Sequence, residues 1–206
     1  MKAVSVRYPI DLKENCKDRS SGVHLSGILR AMAVKIGMKG INADDDLDGL
    51  IDTTGPYEVG TTGQLMRIVI GYAWEDWLGP RIGGAVYHPG EYSLDGIFGS
   101  PDAIGFDQDG SPVLHEFKAT FKSSKTPLTN NLLWVWQAAG YLSMISATHN
   151  TPCQKAVLHP LYIKGDYSGI DPQYLPVMLE FEREELTSLW NMVVLNKDLA
   201  KAEIHG

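Results

Sequence analysis

The stretch Gly99 to Ala119 reads GSPDAIGFDQDGSPVLHEFKA. Asp102 opens the apolar run Ala103 to Phe106, Asp109-Gly110 is a tight-turn pair, and Val113 to Phe117 returns as a second apolar run, so the spacing predicts a β-hairpin. Folding it at Asp109-Gly110 carries Asp102 and Glu116, fourteen positions apart, to the same end of a sheet. Side chains alternate along a strand, so Glu116 and Lys118 share a face while Phe117 points into the opposite layer. Two carboxylates and an amine then converge on one small volume, with the lysine left free for chemistry. Oxygen ligands of this kind suit a hard divalent cation, Mg2+ or Mn2+, which takes one or two carboxylates and completes its shell with water and phosphate.

The rest of the composition limits what such a site can belong to. The chain has 206 residues, 44% hydrophobic and 21% charged, which is the profile of one soluble globular domain with room for a real core. No apolar run approaches a membrane span and the N-terminus lacks a signal-peptide core, so a cytoplasmic protein without a membrane partner is expected. The two cysteines, Cys16 and Cys153, lie far apart, which excludes a disulfide framework and a four-cysteine zinc or iron–sulfur site within the chain. A net charge of −7 argues against a protein that coats nucleic acid non-specifically, although clustered acids can recruit metal and a local basic strip can hold phosphate.

Residues 1 to 23 mix basic, acidic and hydroxyl side chains without periodicity and read as an irregular N-terminal arm. A helical stripe follows from Leu25 to Met38, with His24 just before it. Ala43 to Gly55, ADDDLDGLIDTTG, imitates a calcium loop, but its twelfth position is Gly55 and Pro56 follows, so it reads as an acidic surface loop. Thr61 and Thr62 are N-cap candidates for a helix ending at Gly79-Pro80. Within it Glu75 shares the inward face of Ile68 and Tyr72, where a buried carboxylate requires a cation, either a neighbouring Arg or Lys or a bound metal. Gly84 to His88 and Glu91 to Phe98 read as strands, with Asp95-Gly96 a second acidic candidate after Asp102. Beyond the hairpin, Lys122 and Lys125 among Ser123, Ser124 and Thr126 form a basic, hydroxyl-rich loop suited to phosphate contact or simply solvated. The segment Asn130 to Ala147 is apolar all round and reads as a buried helix, with Gln137 and Tyr141 four residues apart on one face. Ala156 to Ile163 and Leu175 to Phe181 are expected strands, and Glu182 to about Ala202 an amphipathic helix.

Four short patterns fall in one order: GxxxE at Gly71 to Glu75, GxxD at Gly99 to Asp102 with Pro101-Asp102 inside it, ExK at Glu116 to Lys118, and QxxxY at Gln137 to Tyr141. Each is weak alone, but their ordered conjunction resembles the PD-(D/E)xK nuclease superfamily. Within it, the chain is most similar to single-domain exonucleases of the RecB and lambda-exonuclease type, of the kind carried by phages and CRISPR systems. The resemblance implies an α/β fold with a restriction-endonuclease-like core, a central mixed β-sheet flanked by helices. The whole chain would be one nuclease domain, with an arm at 1–23, the core at 24–181 and a C-terminal helix at 182–206.

The resemblance also implies DNA as substrate and one or two Mg2+ or Mn2+ ions. The metal would be held by Asp102, Glu116 and the Phe117 carbonyl, with Glu75 and His24 completing that site or a second one. Glu75, Asp102, Glu116, Lys118 and Gln137 would carry catalysis, and Tyr141, Lys122 and Lys125 would touch nucleic acid. Iron–sulfur members of these families need four cysteines around the core, so no cluster is expected. The family precedent favours degradation from a DNA end, in recombination, repair or phage DNA processing, with a recombination partner protein or a homo-oligomer as possible associates. A structure-specific endonuclease on the same core, or a binding module that has kept the fold without activity, are the competing expectations.

Overall fold

A computed structural model describes residues 9–10, 22–38, 57–58, 63–169 and 171–198. The acidic loop at Ala43 to Gly55, Cys16 and most of the N-terminal arm lie outside the described residues. In chain order the elements are β1 (Pro9–Ile10), β2 (Val23–His24), α1 (Leu25–Lys35), β3 (Tyr57–Glu58), α2 (Gly63–Leu78), β4 (Val86–Tyr87), β5 (Tyr92–Leu94), β6 (Ile97–Gly99), β7 (Ala103–Phe106), β8 (Pro112–Thr120), α3 (Leu132–His149), β9 (Lys155–Tyr162), β10 (Gln173–Tyr174), β11 (Val177–Glu180) and α4 (Arg183–Leu195).

The central sheet runs β10-β9-β8-β7-β4, with β11 also paired to β9. Its only parallel pairing among the described residues joins β8 to β9, and every other neighbour is antiparallel, so the sheet is mixed as expected. That parallel step needs a crossover, and α3 supplies it. The expected hairpin forms with Ala103 opposite His115, and Gly110 takes a φ of +81° in its turn, a conformation open to glycine without a Cβ penalty. Glu91 to Phe98, read as one strand, is instead the hairpin β5–β6 turning at Asp95-Gly96, both at positive φ as a tight two-residue turn requires. The Asp95 carboxylate accepts a hydrogen bond from Trp190 Nε1 at 2.7 Å, which ties the turn to α4 and makes it a structural rather than a catalytic acid. The strand expected over Leu175 to Phe181 is β11 and begins only at Val177, because Pro176 has no N–H to give to the ladder; the short β10 lies before it.

The main core lies on one face of the sheet, where Leu114 and Leu158 meet Ala138, Leu142 and Ile145 of α3 and Leu25 and Ile28 of α1. A Cβ at Gly140 would stand 2.5 Å from Leu25 Cδ2, so the missing side chain lets α1 and α3 approach closely. α4 covers the outer side of α3 with Leu186, Leu189, Trp190 and Val193, which explains why α3 is apolar all round. α2 packs on the opposite face, where Leu78, Ala103 and Phe117 form a smaller cluster with Trp74.

That second face also carries two linked imidazoles, His159 buried and His115 half-buried. His115 Nδ1 lies 2.9 Å from His159 Nε2, and His159 Nδ1 lies 2.7 Å from the Tyr174 hydroxyl, with Phe117 stacked on His159. Burial, followed by the neighbouring His115, depresses the His159 pKa from 6.5 to about 4, and burial lowers that of His115 as well. Both rings are therefore neutral in the folded chain near pH 7. Below about pH 6.5 the unfolded chain gains protons that the folded chain refuses, so stability is complete above that pH and falls as the pH drops toward 4. Thermal unfolding between pH 7.5 and 4.5 should show a loss of up to roughly 3 kcal/mol from His159 alone. An unchanged melting temperature across pH 6.5 to 5 would contradict a neutral pair.

Candidate active site

Asp102 sits immediately before β7, one position beyond the paired register, directly across from Glu116. The two residues fix each other. The Asp102 N–H donates to Glu116 Oε1 at 3.3 Å, and the Phe117 N–H donates to Asp102 Oδ2 at 2.9 Å. Each carboxylate thus takes up a backbone donor that the end of the ladder has left over. The Phe117 ring points away to α2, as strand alternation requires.

Glu116 is almost completely enclosed, at 1% exposure. Burial pushes its carboxyl pKa up, opposed by the Lys118 ammonium, and the nearby Glu75 charge pushes it up further. Lys118 Nζ lies 2.9 Å from Glu116 Oε2 and 3.0 Å from Gln137 Oε1. Burial alone would lower the lysine pKa, but the Glu116 and Asp102 charges reverse that, so it is held above its ordinary value and stays protonated. The lysine is therefore not the free amine that spacing suggested. Gln137 Nε2 in turn donates to the Tyr141 hydroxyl at 3.1 Å, and burial raises the Tyr141 phenol so that it remains a neutral partner. A relay runs from Glu116 through Lys118 and Gln137 to Tyr141, across the gap between β8 and α3.

Glu75 is 7% exposed on the inward side of α2. His88 Nε2 lies 2.9 Å from Glu75 Oε1. The His88 N–H also donates to the Asp102 carbonyl at 2.9 Å, and the residue adopts a φ of +49°, costly for a non-glycine. Sequence reading missed His88, because Pro89-Gly90 marks only a turn and nothing local shows that the ring folds back onto α2. His24 lies at the end of β2, with Nδ1 3.8 Å from Glu91 Oε1 and its ring 6.1 Å from that of Phe98. Lys122 is exposed, and Lys125 pairs with Asp166 at 3.2 Å.

Among the described residues no three His, Cys, Asp or Glu side chains are gathered into a metal-binding group. The donor chemistry nonetheless fits a hard divalent cation, because Asp102 and Glu116 offer adjacent carboxylates and such ions usually fill the remaining positions with water and phosphate oxygens.

No family model matches the chain, and no curated protein does. Among solved structures it is similar to LHK-Exo, an alkaline exonuclease from Laribacter hongkongensis, in its complex with dAMP (18% identity, TM-score 0.49, covering 89% of this chain and 90% of that one). It is also similar to a phage-related exonuclease from Haemophilus somnus 129PT (13% identity, TM-score 0.48, 90% and 96% covered). A putative exonuclease from Eubacterium rectale matches more loosely (11% identity, TM-score 0.39, 93% and 72% covered). The chemistry of the site rests on its side chains and not on these likenesses. No helix among the described residues is long and apolar enough to cross a membrane.

The two pattern glycines differ in what they do. A Cβ at Gly99 would lie 2.7 Å from Tyr141 Cε1 and 2.9 Å from Met144 Sδ, so Gly99 makes room for the end of the relay. A Cβ at Gly71 would meet nothing within 4 Å among the described residues. Gly99→Ala should destabilise by about 1 to 3 kcal/mol through overpacking, and Gly71→Ala should stabilise by up to about 1 kcal/mol through helix propensity. Denaturant midpoints of the two variants, measured together, check this.

Proposed function

We propose that the chain is a metal-dependent deoxyribonuclease of the PD-(D/E)xK kind that hydrolyses phosphodiester bonds from DNA ends. One observation carries the reading: a protonated lysine is held between a buried carboxylate and the Gln137–Tyr141 relay, beside a second carboxylate. Asp102 and Glu116 would hold Mg2+ or Mn2+ with the Phe117 carbonyl, while Glu75, against His88, and His24, near Glu91, are not gathered with them. The ion supplies Lewis acidity and lowers the pKa of a bound water.

The chain's own groups do the remaining work. Lys118 orients the attacking water and offsets the negative charge that develops on phosphate. Gln137 keeps the ammonium on that line, and Tyr141 keeps Gln137 from turning. His88 holds Glu75 in place from the other side. Hydrolysis breaks one P–O bond and leaves a phosphate on one fragment and a hydroxyl on the other. DNA processing in recombination, repair or a phage cycle, inside the cytoplasm and beside a recombination partner or further copies of the chain, is consistent with this activity.

The structure guides the choice of variants. Glu116→Ala would strand Lys118 without its carboxylate, a change that costs stability for reasons unrelated to catalysis. Asp102→Asn and Glu116→Gln keep hydrogen-bonding groups in place while removing charge. Both should lose cleavage of linear DNA in Mn2+, Asp102→Asn with a nearly unchanged melting temperature and Glu116→Gln with a lower one, because Lys118 loses the charge that offsets its burial. Lys118→Ala should lose about a hundredfold or more in rate. Gln137→Leu should lower the rate while changing stability by only about 1 kcal/mol. Degradation of linear but not circular DNA supports end-directed cleavage, nicking of circles indicates an endonuclease, and no cleavage in either metal indicates a binding module. Wild-type turnover in Asp102→Asn or Glu116→Gln would refute the site.

A further inference from the structure

The catalytic reading leaves unused the ground just beyond Lys118. β8 continues for two residues to Thr120, and alternation turns that side chain to the same face as Glu116 and Lys118, roughly 7 Å further along the strand. There a cavity of about 320 Å3 is lined by Ala119, Thr120, Phe121, Lys122 and Tyr167.

Two loops form its walls, and they are fastened to each other. The Ile163 N–H donates to the Thr120 carbonyl and the Ser124 N–H to the Gly165 carbonyl, each at 2.9 Å. Lys125 pairs with Asp166, and the Tyr167 hydroxyl donates to the Phe121 carbonyl. The cavity is therefore shaped before any ligand arrives. Tyr167 holds a φ of +65°, unfavourable for a bulky residue, and still leaves its side chain 58% exposed. The ring gains little burial in return for that conformation, but it is offered to the cavity.

Charge points the same way. Lys118 and Lys125 are both engaged with carboxylates, whereas the Lys122 side chain has no partner among the described residues. The Thr120 hydroxyl accepts the Lys122 N–H at 3.1 Å, which leaves its own proton available to donate. One aromatic face, one unpaired ammonium and one hydroxyl donor form a set that suits a nucleoside carrying a phosphate, with stacking on the base and charge on the anion.

We propose that this cavity seats the nucleotide next to the scissile phosphate, its base on Tyr167 and its phosphate on Lys122 and Thr120, a subsite that rests on the nuclease reading of the adjacent carboxylates. Lys125 then fastens the wall and does not touch the substrate.

The test uses the full chain and a 5′-phosphorylated single-stranded trideoxynucleotide, titrated calorimetrically without metal so that nothing is cleaved and the site acids repel phosphate. Tyr167→Phe should bind within about twofold of wild type, because the stacking face remains, and Tyr167→Ala about tenfold more weakly. Lys122→Ala should bind more weakly and lose about one unit of the salt slope. Equal affinity in all four proteins, or no binding by wild type, would overturn the subsite. A chain that binds the trinucleotide in this Tyr167-dependent way yet cleaves no DNA in Mn2+ would keep the subsite and remove the nuclease reading. Cleavage with wild-type KM in Tyr167→Ala would do the reverse.

Discussion

A carboxylate at 1% exposure cannot remain charged inside a protein without a cation, and the Glu116–Lys118 pair meets that demand. The requirement explains most of the local structure. The pair must share one strand face, so the residue between them faces the opposite layer. It must be hydrogen-bonded on its remaining positions, so Gln137 turns its oxygen to Lys118 and Asp102 gives its N–H to Glu116. A buried ion pair is poor evidence for stability, since apolar residues would fill the space at less cost. The pair stands at the end of the β7–β8 ladder, beside the Asp102 carboxylate.

The mixed sheet is what makes that end available. β7 stops at Ala103 while β8 runs on past it to Thr120, so the far half of β8 is paired on the β9 side and leaves donors for Asp102 on the other. α3 then crosses over the same face. The helix has two tasks, with Ala138, Leu142 and Ile145 making the core and Gln137 and Tyr141 facing the lysine. Gly99 is bare because the Tyr141 ring occupies the space where its side chain would stand.

His88 shows how a site acid can be held from outside any recognisable pattern. Its backbone touches the Asp102 residue and its ring touches Glu75, so one left-handed residue joins the α2 and β7 contributions. Backbone strain of this sort survives only where the surroundings compensate for it, and here the compensation is two hydrogen bonds to the site.

Sequence alone determined the hairpin, because Asp109-Gly110 and strand alternation are local rules that place Asp102 opposite Glu116 and Glu116 beside Lys118. It also determined the apolar helix carrying Gln137 and Tyr141, since a four-residue spacing fixes a shared face wherever the helix is packed. Tertiary structure decided the rest. Only the crossover of α3 showed that Gln137 reaches Lys118, only the fold-back after β4 brought His88 onto Glu75, and only the hairpin at Asp95-Gly96 removed Asp95 from the site. Tyr167 came to lie beside Lys122 for the same reason, through the parallel pairing of β8 and β9. Local rules specify which side of an element a residue occupies, and which elements meet depends on contacts between segments far apart in the chain.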